Sequence, residues 1–331
     1  MKVYVQIFLL LFLFVFFLSC CNEDTPESCN CPPFDIVPIE PYNDPVWHPG
    51  GKLIGFNHRP IKEIRYTYGY ECPHQAGYFY DDDSTGFWLI NSDGTDKRRV
   101  LPYQLFAPAW SPDGKWIAFS KGAQICIMPF DGHQFDTSAI VQLTDQGRNF
   151  FPTWSPEGEW IAYDSNAGTE SGAYFIWKIK IDGFEKERIM YTPTQGSARM
   201  PFWGKDSTIL YQKYIGKSNP EIFMMDSSGG NIVQMTNNDL MELNPQFSPD
   251  GLYFSYISNS GMKLWLVNVK SNDAIIVTNG CISYSWSPNG EIVYLNYDYS
   301  RIDEAKGTLW VMNADGTEKQ QLTYNNFRIT F

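Results

Sequence analysis

The sequence predicts an all-β fold, a six-bladed β-propeller built from four-stranded antiparallel blades. Two observations lead to this prediction: a composition rich in aromatic residues and poor in charge, and one motif that recurs six times. The 331 residues are 16% aromatic and 19% charged. Disordered chains and coiled coils show the opposite balance, because they carry many charges and few aromatic residues. The composition therefore favours β-strands.

The repeated motif is an aromatic residue followed by a tight turn and an apolar strand. The most regular turns read Ser-Pro-Asp-Gly, which places Pro second and Gly fourth in a type I turn. Successive aromatic anchors are 63, 44, 49, 44 and 39 residues apart. This spacing is the length of a propeller blade, and we expect the longer first interval to hold an insertion rather than a seventh blade. The anchors are Trp47, Trp110, Trp154, Trp203, Phe247 and Trp286.

Each copy continues with three further strand-like segments. In the second copy an apolar run at Ile117–Phe119 leads to a strand centred on Ile127, and a last strand lies at Val141–Thr144. Between the strand centred on Ile127 and the last strand, Asp131 and Gly132 supply the positive φ that a tight hairpin requires. Four strands make a blade, and stacking the blades buries their apolar faces at about 25 cal/mol per Å².

Both ends of the chain carry strand-like segments outside the six copies. These are Phe34–Ile39 and Phe327–Phe331. We expect one of them to complete a terminal blade. The resulting organisation is a signal peptide at residues 1–19, a tether at 20–41 and a propeller at 42–331, whose first blade carries an insertion at about 58–86.

The N-terminus resembles a bacterial lipoprotein signal. Lys2 precedes an apolar run from Ile7 to Leu18, which is too short to span a bilayer and suits a signal peptide. Ser19 and Cys20 then match the small residue and cysteine of a lipobox, which implies lipidation of Cys20, with Cys21 as the alternative. An ordinary cleaved signal is the other interpretation. We expect a lipid-anchored location in the bacterial cell envelope, on the outer membrane and either periplasmic or surface-exposed.

Few residues suit catalysis or metal binding. His48 occupies a repeat turn and is interpreted as structural, and His133 is expected on an exposed turn. His58 and His74 fall in the insertion and are the one histidine pair that could converge. The run from Asp81 to Asp83 is interpreted as a solvated loop. We expect no metal and no cofactor.

Five cysteines lie beyond the lipobox, in a compartment where disulfides are permitted. Cys126 lies within an apolar strand and is interpreted as a core residue. The pairing of Cys72 with Cys29 or Cys31 stays open.

The repeat as a whole resembles that of TolB-like β-propellers. The pattern is Pro-x-Trp-Ser-Pro-Asp-Gly-x-x-Ile-Ala-Phe, followed by Ile-x-x-Met, Asp-Gly and a closing Leu-Thr, and it runs from Pro45 to Thr323. The resemblance implies a six-bladed propeller. It leaves function open, because similar repeats occur in TolB, in prolyl-oligopeptidase-type peptidases and in some pectin-degrading lyases. A serine peptidase of that type needs a Gly-x-Ser-x-Gly nucleophile motif, which this sequence lacks.

Propeller topology indicates where binding residues would lie. If the strands run from axis to rim, the Ser-Pro-Asp-Gly and Asp-Gly turns share one face. The longer, variable connections share the other, which we call the long-loop face, and binding surfaces are commonly built on such loops. The insertion, from His58 to Gly86, is predicted to contain a hairpin with a tyrosine-lined face. The candidate binding residues on the long-loop face are Arg148, Asn149, Phe150, Arg199, Met200, Glu242, Asn244 and Tyr284.

The net charge of −12 argues against nucleic acid as a partner, because a phosphate backbone requires a basic surface. We expect a monomeric, non-catalytic scaffold that binds an envelope protein, a peptide or a glycan. The alternative is a carbohydrate-active enzyme, a lyase or glycoside hydrolase, with its site at the propeller mouth. Converging carboxylates or histidines at the mouth would favour the enzyme, and an aromatic, arginine-rich mouth would favour the scaffold.

Overall fold

The computed structural model describes residues 41–68, 73–190, 196–214, 219–297 and 307–330. Within them, six antiparallel sheets of four strands each follow one another along the chain. Consecutive strands form each sheet, except that two strands of the insertion intervene in the first. The six-bladed propeller is therefore confirmed. No helix in the described ranges is both long and apolar enough to span a membrane.

The first strand of each blade lines the propeller axis and ends at or beside the aromatic anchor. These strands are β1 (Tyr42–Trp47), β7 (Phe106–Trp110), β11 (Asn149–Trp154), β15 (Ala198–Trp203), β19 (Glu242–Phe247) and β23 (Cys281–Trp286). The second strands are β2 (Leu53–His58), β8 (Trp116–Lys121), β12 (Trp160–Ser165), β16 (Thr208–Tyr214), β20 (Tyr253–Ser258) and β24 (Glu291–Asn296).

The third and fourth strands complete each blade toward the rim. The third strands are β5 (Gly86–Asn91), β9 (Gln124–Pro129), β13 (Phe175–Lys180), β17 (Pro220–Asp226), β21 (Lys263–Asn268) and β25 (Thr308–Asn313). The fourth strands are β6 (Arg98–Leu101), β10 (Val141–Gln142), β14 (Lys186–Arg188), β18 (Val233–Gln234), β22 (Ala274–Thr278) and β26 (Gln320–Gln321).

The turn between the first two strands of a blade has the predicted form. In the second blade, the N–H of Gly114 donates to the carbonyl of Ser111 at 2.9 Å, and Gly114 has a φ of +72°. The hydroxyl of Ser111 donates to Asp113 at 2.6 Å. Glycine is needed at the fourth position because a side chain there would be strained at positive φ.

Six apolar clusters hold the blades together, one at each interface between neighbouring blades. The cluster between the first and last blades joins Trp47 and Phe56 to Leu295 and Leu309. The second strands are buried on both faces, because each blade is covered by a neighbour on either side. This explains why those strands read as continuous apolar runs rather than alternating ones.

The ring is closed by contacts between complete blades. The N–H of Trp47 donates to Oγ of Ser285 at 3.1 Å, and the hydroxyl of Tyr42 donates to the carbonyl of Tyr324 at 3.0 Å. Of the two segments of which one was expected to complete a terminal blade, the described part of Phe327–Phe331 does not do so, because β26 already occupies the outer position of the last blade and Arg328–Thr330 pairs with a strand of the insertion. The other candidate, Phe34–Ile39, lies outside the described residues.

A second compact unit contains the insertion and the end of the chain. Its described strands are β3 (Ile61–Tyr68), β4 (Pro73–Tyr80) and β27 (Arg328–Thr330). Strands β3 and β4 form an antiparallel pair, which confirms the predicted hairpin, and β27 pairs in parallel with β3. The side chains of residues 66–76 lie outside the described set, so the predicted tyrosine-lined face stays a prediction.

Candidate functional site

An axial channel of about 630 Å³ lies between the first strands of all six blades and extends to the tight turns that follow them, as at Pro112 and Pro156. Each first strand lines it with several residues, one of which directly precedes the repeat proline, or Tyr284 in the last blade. A β-bulge at this point breaks the pairing register of every first strand. We call the lining residues at the six bulges the channel residues; they are Asp44, Ala107, Phe151, Met200, Asn244 and Ser283.

The first five channel residues adopt a left-handed backbone conformation, with φ between 46° and 54°. This conformation costs on the order of 1–2 kcal/mol per non-glycine residue. It persists because the strand ladder resumes on both sides of the bulge, as between Phe150 and Thr153. The bulge thus fixes the backbone from which each channel side chain projects.

An aromatic–arginine cluster lies beside the channel on the second, third and fourth blades, at the ends of strands that face the long loops. Phe106 lies 5.7 Å from Phe150 and 5.5 Å from Phe151 between ring centres, and the ring of Phe150 lies 6.2 Å from that of Tyr174. The guanidinium of Arg148 is 5.7 Å from the centre of the Phe150 ring. We define the cluster as Phe106, Arg148, Phe150, Phe151, Tyr174 and Arg199.

Arg199 joins this cluster to a buried carboxylate. Its guanidinium lies 4.3 Å from the ring centre of Tyr174 and 5.6 Å from that of Phe151. Its Nε donates to Oδ2 of Asp164 at 3.2 Å, and the N–H of Met200 donates to the same oxygen at 3.1 Å. Asp164 is fully buried.

Burial raises the pKa of Asp164 to about 6, and the charge of Arg199 opposes that rise. Oδ1 of Asp164 has no hydrogen-bond partner among the described residues. The pair therefore combines a costly buried carboxylate with an arginine whose side chain is 29% exposed.

Three of the eight candidate binding residues lie in the aromatic–arginine cluster, two are channel residues, and the buried Tyr284 also lines the channel. Arg148, Phe150 and Arg199 are cluster members. Met200 and Asn244 are channel residues. The long-loop ends of the first strands thus bring Arg148, Phe150, Arg199, Met200 and Asn244 to the channel or to its end on the long-loop face, which we call the mouth. The binding role of these residues stays a prediction.

The other three candidates are buried and make contacts within and between blades. The amide nitrogen of Asn149 donates to Oε1 of Gln124 at 2.8 Å, between the second and third blades. The hydroxyl of Tyr284 donates to the carbonyl of Asn244 at 2.8 Å. Glu242 is fully buried, and its Oε1 accepts from the Asn238 amide at 2.7 Å. Burial raises the pKa of Glu242.

The sequence-based candidates omitted six of the channel and cluster residues: Asp44, Ala107, Phe151, Ser283, Phe106 and Tyr174. A signal for three of them exists, because Asp44, Ala107 and Phe151 directly precede the repeat proline at the bulge. Phe106 and Tyr174 carry no such signal. They reach the cluster through contacts with Phe150, which is distant from Phe106 in sequence.

Two of the described histidines, His48 and His58, occupy structural positions, and His133 is exposed on a turn, as expected. His48 accepts from the N–H of Gly50 through Nδ1 at 3.0 Å and packs edge-on against Trp110, which confirms its structural interpretation. His58 is buried and stacked 3.9 Å from the ring of Tyr42. Burial lowers the pKa of His58 to about 4, so its ring is neutral near pH 7. The side chain of His74 lies outside the described set.

Potential metal ligands do not converge in the described ranges, where no group of three or more His, Cys, Asp or Glu side chains could hold an ion. Asp82 and Asp83 are exposed, as expected for a solvated loop. Cys126 is buried in the core, as predicted, and Cys281 is buried as well. Cys20, Cys21, Cys29, Cys31 and Cys72 lie outside the described residues.

Comparisons with known proteins agree with this architecture. A TolB homologue of Chlorobaculum tepidum is 33% identical over 109 residues, which make up 32% of this chain and 24% of that protein. The crystal structure of TolB from Acinetobacter baumannii aligns with a TM-score of 0.57 at 19% identity, over 82% of this chain and 63% of that one. The chain thus spans about a quarter of the first relative and less than two thirds of the second.

A second similar structure is that of an enzyme. The oligogalacturonate lyase of Vibrio parahaemolyticus aligns with a TM-score of 0.51 at 12% identity, over 86% of this chain and 84% of that one. At such identities these structures share the fold alone. The family model described as the TolB beta propeller domain matches residues 84–331, which is most of the chain. The chain therefore belongs to the TolB β-propeller family.

Proposed function

We propose that this protein is a non-catalytic scaffold that binds a peptide segment of a partner protein at the channel mouth on the long-loop face. The observation that carries the proposal is the aromatic–arginine cluster beside an open channel. Aromatic rings and arginines are enriched where protein interfaces bind most strongly, because they bury large areas and keep polar groups for hydrogen bonds.

The dimensions and lining of the channel suit a peptide. A volume of about 630 Å³ falls within the usual range of ligand sites, and the walls consist largely of prolines, aromatic residues and small side chains. The bulges fix the backbone of the lining, so little conformational entropy is lost when a ligand binds. An extended segment could place one or two side chains in the channel and others on the cluster.

The enzyme alternative has less support from the arrangement of carboxylates. Among the described residues that line the channel, Asp44 is the one carboxylate, and histidine is absent. Glu242 and Asp164 are buried, and each is hydrogen-bonded to neighbouring residues. Glycoside hydrolysis needs two carboxyl groups facing one bond, one acting as acid and the other as base or nucleophile.

The envelope location and the lipid anchor belong to the same proposal. Their support is the lipobox-like Ser19-Cys20 and the similarity to proteins named TolB. We expect labelled palmitate to be incorporated by the wild type and lost in Cys20→Ala but not in Cys21→Ala. Loss in Cys21→Ala alone would assign the anchor to Cys21, and no incorporation in the wild type would rule the anchor out.

A selection with phage-displayed random peptides tests the proposed binding site. Clones are selected on the purified wild type and then scored on the double variant Phe106→Ala/Phe151→Ala. The control is Phe184→Ala, because Phe184 is 90% exposed on a turn of the opposite face. We expect most clones to lose binding to the double variant and keep it on the control. Clones that bind both variants equally would contradict the proposed site.

Turnover of a polysaccharide panel separates the scaffold from the enzyme. We expect the purified wild type to leave every polysaccharide intact. Cleavage that is lost when Asp44 is replaced by Asn would establish the enzyme alternative at the same mouth.

A further inference from the structure

We propose that the aromatic–arginine cluster recognises an acidic peptide segment, and that Arg199 is the residue that binds a carboxylate of the partner. This inference rests on the proposed function, because it specifies the chemistry of the peptide bound at the same mouth. Three features of the described residues carry it: the local charge, the orientation of Arg199 and the rings beside it.

The two charged residues of the cluster are both arginines, although the chain as a whole carries a net charge of −12. Arg148 is exposed and forms no ion pair with any described residue. Arg199 is paired with the buried Asp164 and keeps part of its side chain exposed. Arginines beside an acidic group of a partner favour an anionic ligand over a cationic one.

Asp164 and Tyr174 orient the guanidinium of Arg199. Asp164 accepts from Nε, and the ring of Tyr174 lies 4.3 Å from the guanidinium carbon. The remaining donors are on the two Nη nitrogens, which the described residues leave without a hydrogen bond. A planar guanidinium held in this way presents two parallel N–H groups, the geometry that a carboxylate accepts bidentately.

The carboxylate of Asp164 is not itself available to the partner, because it is fully buried. Asp164 is therefore a positioning residue, which acts on the ligand through Arg199. Its ion pair compensates the charge of Arg199, and Arg148 is the second cation of the cluster.

The aromatic rings of the cluster determine which side chain the bound segment carries next to its own carboxylate. Phe106 is 49% exposed and touches Phe150 and Phe151, so an apolar surface adjoins the guanidinium of Arg199. A ligand that combines a carboxylate with an aromatic or aliphatic side chain can satisfy both surfaces at once. We therefore expect Asp or Glu next to a large apolar residue in the bound segment.

The clones from the phage selection provide the probes for a direct test. Each cluster-dependent peptide is synthesised with a fluorescent label, together with a counterpart in which Asp and Glu are replaced by Asn and Gln. Affinities for the full-length protein are measured by fluorescence anisotropy. We expect the acidic peptide to bind at least about tenfold more tightly than its amide counterpart, as charge-assisted hydrogen bonds allow.

Variants then assign the difference to Arg199. We expect Arg199→Gln to abolish the preference for the acidic peptide, and Asp164→Asn to reduce it. The matched control is Arg188→Gln, because Arg188 also packs on an aromatic ring, 5.0 Å from the centre of Phe175, but on an outer strand. The control is expected to keep the preference.

The possible results distinguish this inference from the proposed function. Cluster-dependent peptides without an acidic preference would overturn the role of Arg199 and leave the peptide site standing. A selection without any cluster-dependent peptide would overturn both. A third result would be that an oligogalacturonate binds with an affinity that falls in Arg199→Gln, while no peptide shows this dependence. In that case the cluster recognises an anionic glycan, and the peptide proposal is wrong.

Discussion

The backbone N–H of Trp47 donates a hydrogen bond to Oγ of Ser285 at 3.1 Å, and so connects the first blade directly to the last. The same kind of contact joins the third and fourth blades, where the N–H of Trp203 donates to Oγ1 of Thr153 at 3.1 Å. The interface between the first and last blades thus has the same backbone-to-hydroxyl contact as the interface between the third and fourth blades. Among the described residues, closure depends on packing between complete blades and involves no exchanged strand.

Because the ring is closed by packing, we expect equal cavities at two blade interfaces to lower the free energy of unfolding by equal amounts. Leu295 is fully buried between the first and last blades, and Leu210 is fully buried between the fourth and fifth. We expect Leu295→Ala and Leu210→Ala each to lower the free energy of unfolding by about 2–5 kcal/mol, measured by urea denaturation. A loss for Leu295→Ala below about 1 kcal/mol would contradict a packed closure.

Deletion of Phe327–Phe331 is the complementary experiment. Because β26 completes the last blade without these residues, we expect the melting temperature of the propeller to change little. A sharp fall would restore the idea that the chain end completes a blade.

The bulges of the first strands predict an unusual effect of glycine. Ala107 has a φ of +51°, where an L-residue is strained and glycine is not. We expect Ala107→Gly to raise the free energy of unfolding by about 0.5–1 kcal/mol, even though glycine makes the unfolded chain more flexible. Ala109, two residues later in the same strand, has no positive φ and is the matched control. If both variants are destabilised equally, the strain is not present.

The buried carboxylate of Asp164 predicts a pH-dependent difference in stability. Its pKa is raised to about 6 in the folded protein, so the folded state binds its proton more tightly than the unfolded state. The associated stability is fully present below pH 4 and is lost as the pH rises through 6. We expect the wild type to lose about 2 kcal/mol between pH 4 and pH 7 relative to Asp164→Asn, which cannot titrate.

Urea denaturation at a series of pH values measures this difference. The comparison with the variant removes the contributions of other groups, including the buried His58, whose lowered pKa acts in the opposite direction. Parallel stability curves for the two proteins would show that Asp164 titrates normally.

The sequence allowed the blades to be predicted because their signals are local and repeated. Trp110 and Gly114 lie within one turn, and each copy of that turn supports the others. Prediction failed where partners are distant. Asn149 stands beside Arg148 in sequence, yet it is buried because Gln124 accepts its amide across a blade interface.

The site was predicted in part for the same reason. Arg148, Phe150 and Arg199 were recognised by their position at the start of first strands. Phe106 and Tyr174 could not be, because ring contacts between different blades bring them to the cluster. The channel position of Phe151 follows from a bulge before proline, a pattern that becomes informative once the register is known.

Site-specific photo-crosslinking tests the scaffold at the channel mouth most directly. A photoreactive phenylalanine analogue replaces Phe106 at the mouth or, as a control, Phe184 on the opposite face, in cells that express the protein. We predict a discrete protein adduct from position 106, competed by the selected peptides and weakened by Arg199→Gln, and none from position 184. An adduct from position 184 alone, or equal adducts from both positions, would contradict a binding site at the mouth.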